Sequence, residues 1–165
     1  MTIQPKLARL GGAATLIGAL VVLAFTGTAA AATTTITFKE PEKGSTFAFI
    51  DNAPKAKFKH GFPQKVSAGD EFVFTNPLEA EGKKIGHLQA VCTATTNGKF
   101  QTAGFNCNGT FVFTGKGTLI AAATLKAGKT EGAITGGTGG YAGARGTFVS
   151  KEGKGVSTVT VTLLE

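Results

Sequence analysis

Tryptophan is absent from this chain, tyrosine and methionine occur once each, and 165 residues hold two cysteines, two histidines and five prolines. Each scarcity closes off a reading. His60, His87, Cys92 and Cys107 are not spaced as metal ligands, so no metal and no cofactor is expected. No cysteine follows the N-terminal apolar run, which excludes a lipoprotein anchor. No adjacent arginines precede that run, which favours the general export route over the twin-arginine one. Helix signals are missing beyond residue 32, and no internal repeat or second domain is visible. With Tyr141 as the lone tyrosine, the thirteen phenylalanines would make an interior poor in hydrogen-bond donors.

The first 31 residues read as an export signal. Lys6 and Arg9 form a positive start, Leu16 to Phe25 an apolar core, and Thr28-Ala29-Ala30-Ala31-Ala32 a small-residue cleavage site, with cleavage near Ala30 to Ala32. The apolar run falls short of the roughly 20 residues that span a bilayer, so no stable membrane anchor is expected after cleavage. The expected location is secreted or periplasmic. Residues 32–165 then form one domain. Removing Lys6 and Arg9 from 17 basic residues leaves 15 against 10 acidic ones, a formal charge of +5. The most basic stretch, Lys55, Lys57, Lys59, His60 and Lys65, lies with Pro54 and Pro63 and reads as a solvated loop. Nucleic-acid binding would want aromatic residues interleaved with the charges on a platform, and an exported protein rarely meets such a partner, so none is expected.

Strand signals follow one another through this domain. Expected strands are Thr33 to Lys39, Thr46 to Asp51, Glu71 to Thr75 ended by Asn76-Pro77, Lys84 to Thr96, Phe100 to Thr114, Thr118 to Lys126, Lys129 to Thr135, Arg145 to Ser150 and Val156 to Leu164. Asn97-Gly98 is a strong two-residue hairpin signal. In the last strand Val159, Val161 and Leu163 alternate with Thr158, Thr160 and Thr162, the pattern of a half-buried strand. The fold class is therefore all-β, a single closed antiparallel barrel of about eight strands.

The run Ala133 to Gly146 packs a glycine turn, with Gly136, Gly137 and Gly139, between two strand-like segments. Gly137, Gly139 and Ala142 fit a dinucleotide fingerprint, but that fingerprint needs a helix to open at once. Gly140, Gly143 and Gly146, followed by Thr147, Phe148 and Val149, forbid one. Gly128-Lys129-Thr130 imitates the end of a phosphate loop, yet its upstream glycine is Ala123 and strands flank it. Asn108-Gly109-Thr110 is a glycosylation sequon, relevant only in a eukaryotic secretory pathway.

The segments Gly69 to Leu78, Lys84-Ile85-Gly86, Ala90-Val91-Cys92 and Ala133 to Gly139 resemble the allene oxide cyclase family in order and approximate spacing. Val73 to Leu78 and Gly136 to Gly146 are similar to two motifs of the plant dirigent proteins. The resemblance covers most of residues 33–165 and implies the barrel that both families share. It places Ser45, Asn76 and Cys92 where cyclases carry a pocket Ser, Asn and Cys. The cyclase Glu-x-Asn pair falls on Thr37 and Lys39, and its proline on Thr46, which speaks against strict allene oxide cyclase activity. It places Asp51 and Arg145 at a dirigent aspartate and arginine, while Gly140 stands where some dirigents have an acid. The implied ligand-pocket candidates are Ser45, Asp51, Asn76, Cys92 and Arg145.

Cys92 and Cys107 are either bridged or not on this reading. With Asn97-Gly98 as a two-residue turn they stand about four residues apart along the ladder, too far for a disulfide. With a loop centred between Lys99 and Phe100 they face each other, and export favours the bridge. Two functions follow. The first is binding of an apolar small molecule (an unsaturated lipid, polyketide or phenolic) in the lumen, with dirigent-like steering of its cyclisation or coupling. It needs a pocket of about 300 Å³ or more, opening near Asn76 and Arg145. The second is a non-enzymatic module whose lumen is filled by phenylalanine. Families with this barrel often form trimers, so a homo-oligomer is a further expectation of the resemblance.

Overall fold

Inward and outward side chains alternate along nearly every segment after Thr33, and each alternating run is a strand. The computed structural model describes residues 32–164 except 53, 55–57, 60–61 and 126–128. Residues 1–31, read above as an export signal, and Lys55, Lys57 and His60 of the basic stretch, lie outside it. The strands are β1 (Thr33–Pro41), β2 (Thr46–Ile50), β3 (Phe58–Lys59), β4 (Phe62–Pro63), β5 (Lys65–Val66), β6 (Glu71–Ala80), β7 (Lys83–Ala94), β8 (Gly98–Lys99), β9 (Phe105–Phe113), β10 (Gly117–Leu125), β11 (Lys129–Gly139), β12 (Arg145–Glu152) and β13 (Val156–Leu164).

Hydrogen bonding runs in the order β1-β13-β12-β11-β10-β9-β7-β6, and Lys39 opposite Glu79 joins β6 back to β1. Eight antiparallel strands thus close into a barrel. β2 lies beside the first half of β6, with Thr46 opposite Thr75. From Lys39 to Thr46 the chain advances seven residues while β6 advances four, from Glu79 to Thr75, so three extra residues loop out between β1 and β2. Pro77 stands opposite this break. That explains why Asn76-Pro77 does not end β6, as the sequence reading has it: the ladder on that flank is already interrupted, and a residue without an N–H fits there.

Two further expectations yield to tertiary structure. Asn97-Gly98 is not a two-residue turn. The chain from Thr95 to Gly104 is a loop in which Gly98 pairs with Val66 and the Asn97 side chain accepts a hydrogen bond from the Ala68 N–H at 2.7 Å. Cys92 is therefore opposite Cys107, and the two form a disulfide. Gly136, Gly137 and Gly139 are not in the turn but on β11, opposite Ile120, Leu119 and Gly117. The turn follows at Gly140 to Ala144 and folds back so closely that a Cβ on Gly137 would collide with the Tyr141 carbonyl. Gly139 has φ +61°, a region that glycine enters without steric cost.

Inside the barrel two apolar groups face each other. The larger joins Phe38, Leu78, Leu88, Phe111, Phe113, Leu119, Ile134, Phe148, Val159 and Val161, with Phe38 edge-on to Phe111 and Phe113 at 5.5 Å. The smaller, under the loops at the other end, holds Val66, Phe72, Cys92, Ala94 and Phe105, with Phe100 packed on Phe72 and Phe105. Asp70, fully buried, fastens these loops: its carboxylate accepts hydrogen bonds from the N–H groups of Asn52 (2.9 Å) and Ser67 (2.7 Å).

Candidate functional site

At the edge of the larger cluster, which includes Ala121 and packs on Ala90, the inward side chains become small. Ala90, Gly109 and Ala121 are direct neighbours on β7, β9 and β10, so one rung of the barrel has almost no side-chain volume. The space this leaves is a cavity of about 180 Å³. Phe74, Leu88, Phe111 and Phe148 supply its apolar walls.

The opposite wall is polar. Ile36, Phe38 and Glu40 alternate inward along β1, so the strand delivers a carboxylate into the lumen. Glu40 is 8% exposed, and the Asn76 side-chain N–H donates to its Oε2 at 3.3 Å. Burial raises its pKa to about 7 from 4.5, against a smaller lowering by the Asn76 hydrogen bond. At neutral pH both protonation states are populated, which suits a group that gives or takes a proton.

Strand register places a second acid nearby. Glu40 is opposite Ser157 on β13, and Ser157 is opposite Glu152 on β12. A single rung therefore reads carboxylate, hydroxyl, carboxylate, with the outer Cα atoms roughly 10 Å apart at strand spacing. All three residues line the cavity, as do Thr130 and Ser150, which are opposite each other on β11 and β12.

The five residues proposed from sequence separate in the structure. Asn76 lines the cavity. Cys92 is fully buried and disulfide-bonded, so it is no pocket thiol; its partner Cys107 reaches the cavity wall. Ser45 is exposed on the loop between β1 and β2, where its hydroxyl donates to the Pro41 carbonyl at 3.1 Å. Asp51 is half-buried just beyond β2 and does not line the cavity. Arg145 is exposed at the start of β12, its guanidinium donating to the Ala144 carbonyl at 2.9 Å, because its position alternates to the outer face. The expectation of a pocket opening at Arg145 is thus corrected, and the cavity is smaller than the 300 Å³ anticipated.

Sequence reading missed Glu40. Counting back from Ser45 led to Thr37 and Lys39, which alternate to the exposed outer face of β1. The available signal was alternation: a glutamate in step with Ile36 and Phe38 is a charge aimed inward. Outside the barrel, a wider and shallower hollow of about 510 Å³ runs over β2, β6, β7, β9 and β10, floored by Ala48, Val73, Val91 and Ile120.

No protein-family profile and no curated protein sequence matches this chain. Solved structures do. A pyocyanin demethylase superposes with a TM-score of 0.60 at 21% identity, covering 80% of this chain and 99% of that one. A pterocarpan synthase dirigent protein superposes with a TM-score of 0.56 at 19% identity, covering 82% and 89%. The likeness is one of fold: a closed eight-stranded antiparallel barrel like that of the dirigent protein.

Proposed function

We propose that this protein is exported and holds a small, largely apolar molecule inside its barrel, where it steers that molecule's cyclisation or coupling. The observation that carries the reading is the buried Glu40–Asn76 pair facing a phenylalanine-walled cavity. Burying a carboxyl deep in an apolar lumen costs stability, a cost that service to an occupant would justify. The volume, about 180 Å³, is close to that of cavities that accept a single aromatic ring, so the guest is a one- or two-ring compound or a folded segment of a longer one.

Catalysis would rest on confinement. Apolar walls hold a flexible guest in one reactive shape and keep water away, and Glu40 exchanges a proton with the atom that changes hybridisation. Asn76 keeps the carboxyl turned into the lumen. Support also comes from the two similar structures, both named for chemistry on small molecules, and from the signal-like first 31 residues. Release from the cell would suit a disulfide-bearing barrel.

A second reading has its own observation. One half of the lumen is filled by Phe38, Phe111 and Phe113, as a purely structural barrel would have it, and apolar side chains such as Ile120 lie exposed on the outside. A thermal-shift screen of phenolics, polyketides and unsaturated lipids separates the two. Luminal binding predicts compounds that raise the Tm of the wild type but not of Ala90→Leu, in which a larger side chain occupies the cavity. If no compound raises the Tm of the wild type, the structural reading replaces the first.

A further inference from the structure

Strand β11 contributes a threonine to each of two hydroxyl pairs, one outside the barrel and one inside. Outside, Thr118 on β10 is opposite Thr138 on β11, and their exposed hydroxyls are bonded to each other at 2.8 Å. Inside, Thr130 on β11 is opposite Ser150 on β12. Thr130 alternates in step with Gly132 and Ile134, and Ser150 in step with Phe148, so both are half-buried and line the cavity. Unlike the outer pair, the inner pair is not bonded to itself, and among the described residues neither hydroxyl has another partner. Residues directly opposite each other hold their Cβ atoms about 5 Å apart, so the two O–H groups can converge on one atom seated above the sheet.

We infer that Thr130 and Ser150 form an oxygen-binding subsite, which takes the carbonyl group of a ring ketone held in the lumen. The inference rests on the luminal reading above and names the class of its guest. A carbonyl oxygen has two lone pairs, and the two hydroxyl donors match them. Phe148 stands one rung from Ser150 on the same face of β12, roughly 7 Å along the strand, with Phe111 edge-on to it at 5.6 Å. A ring lying against these two phenylalanines carries its exocyclic oxygen to the hydroxyl pair. A hydrocarbon in the same place covers both hydroxyls without pairing them, which costs binding energy. Of the guests anticipated from sequence, this subsite favours polyketide-like ring ketones over phenolics and unsaturated lipids.

Matched neutral probes test the inference on the purified protein. Acetophenone, 1-phenylethanol and ethylbenzene differ at one group, and 1-tetralone, 1-tetralol and tetralin repeat the comparison at two-ring size. Each Kd is measured by NMR titration on the wild type and on Thr130→Val with Ser150→Ala, a double variant that removes both O–H groups and changes side-chain volume little. The ketone of a set is expected to lose at least about ten-fold in affinity on this change, the alcohol less, and the hydrocarbon to stay within about two-fold. Retained hydrocarbon binding also shows that the variant keeps its barrel and cavity. The infrared C=O stretch of bound acetophenone is expected at lower frequency in the wild type than in the variant, since accepted hydrogen bonds weaken that bond. Ala90→Leu is expected to abolish binding of all probes.

A ketone Kd unmoved by the double variant overturns the subsite and leaves luminal binding standing. Equal losses for ketone and hydrocarbon are loss of the cavity, not of hydrogen bonds, and overturn it too. An alcohol that loses as much as the ketone overturns the carbonyl assignment. Ketone binding that survives Ala90→Leu is surface binding and overturns the inference as well. If none of the six probes binds, the inference falls; if the wider screen is also blank, the luminal reading falls with it.

Discussion

On three adjacent strands Leu88, Phe111 and Leu119 stand side by side and fill the barrel, whereas one rung along the same strands carry Ala90, Gly109 and Ala121 and leave it open. Backbone, twist and alternation are shared between these two levels. Three side chains decide which level is core and which is site. The two levels therefore differ in kind: the filled level binds the barrel to itself, and the open level, opposite Glu40 and Glu152, has room for something else.

The sharpest way to break this comparison is to empty the filled level. Phe38→Ala removes a ring that is 2% exposed and is expected to cost about 3–5 kcal/mol in urea unfolding. Next in size is the disulfide, which closes a segment of separation 15. Cys92→Ser with Cys107→Ser is expected to cost about 3 kcal/mol, measured against the disulfide-bonded wild type, and reducing the wild type should produce the same loss.

Glu40 sharpens the contrast through pH. Its carboxyl titrates near 7 folded against 4.5 unfolded, so between those values the folded state keeps a proton that the unfolded chain releases. Stability should therefore decline as pH rises from about 4.5 to 7 and level off above, by up to about 3 kcal/mol. Glu40→Gln is expected to be more stable than the wild type by about 2–3 kcal/mol at pH 8 and equal to it at pH 4, read from thermal or urea unfolding.

Filling the open level should cost little. Ala90→Leu is expected to change stability by less than about 1 kcal/mol while it removes binding; a loss as large as that of Phe38→Ala would show that the two levels are one core. Smallest of all is Arg145→Ala. Its side chain is exposed and bonded to the adjacent carbonyl, so both stability, within about 0.5 kcal/mol, and ligand affinity should stay unchanged.

Alternation made the barrel readable from sequence: Val159, Val161 and Leu163 on β13, or Phe111 and Phe113 on β9, could hardly belong to anything but half-buried strands. The site was hidden for a different reason. It exists only as an alignment of strands, and a two-residue turn at Asn97-Gly98 puts Ala90 opposite Phe105, whereas the observed register puts it opposite Gly109. Four residues of slippage turn a cavity into a wall. What defeated the local turn signal was tertiary: Gly98 is held by Val66, Asn97 by Ala68, and Cys92 by Cys107. Arg145 shows the converse. A motif fixed its position in the chain but not the face of the sheet on which it stands.

Closure spares eight strands from having a border, and β2 restores one. It is hydrogen-bonded along β6, and among the described residues no strand lies along its other side. An edge strand is a template on which a foreign strand can grow, and Ile50 on β2 is 45% exposed. The strand is only five residues long and runs out at Asp51. That short seam makes β2 a segment to shield, with a lysine or a proline, in any preparation meant to be stored concentrated.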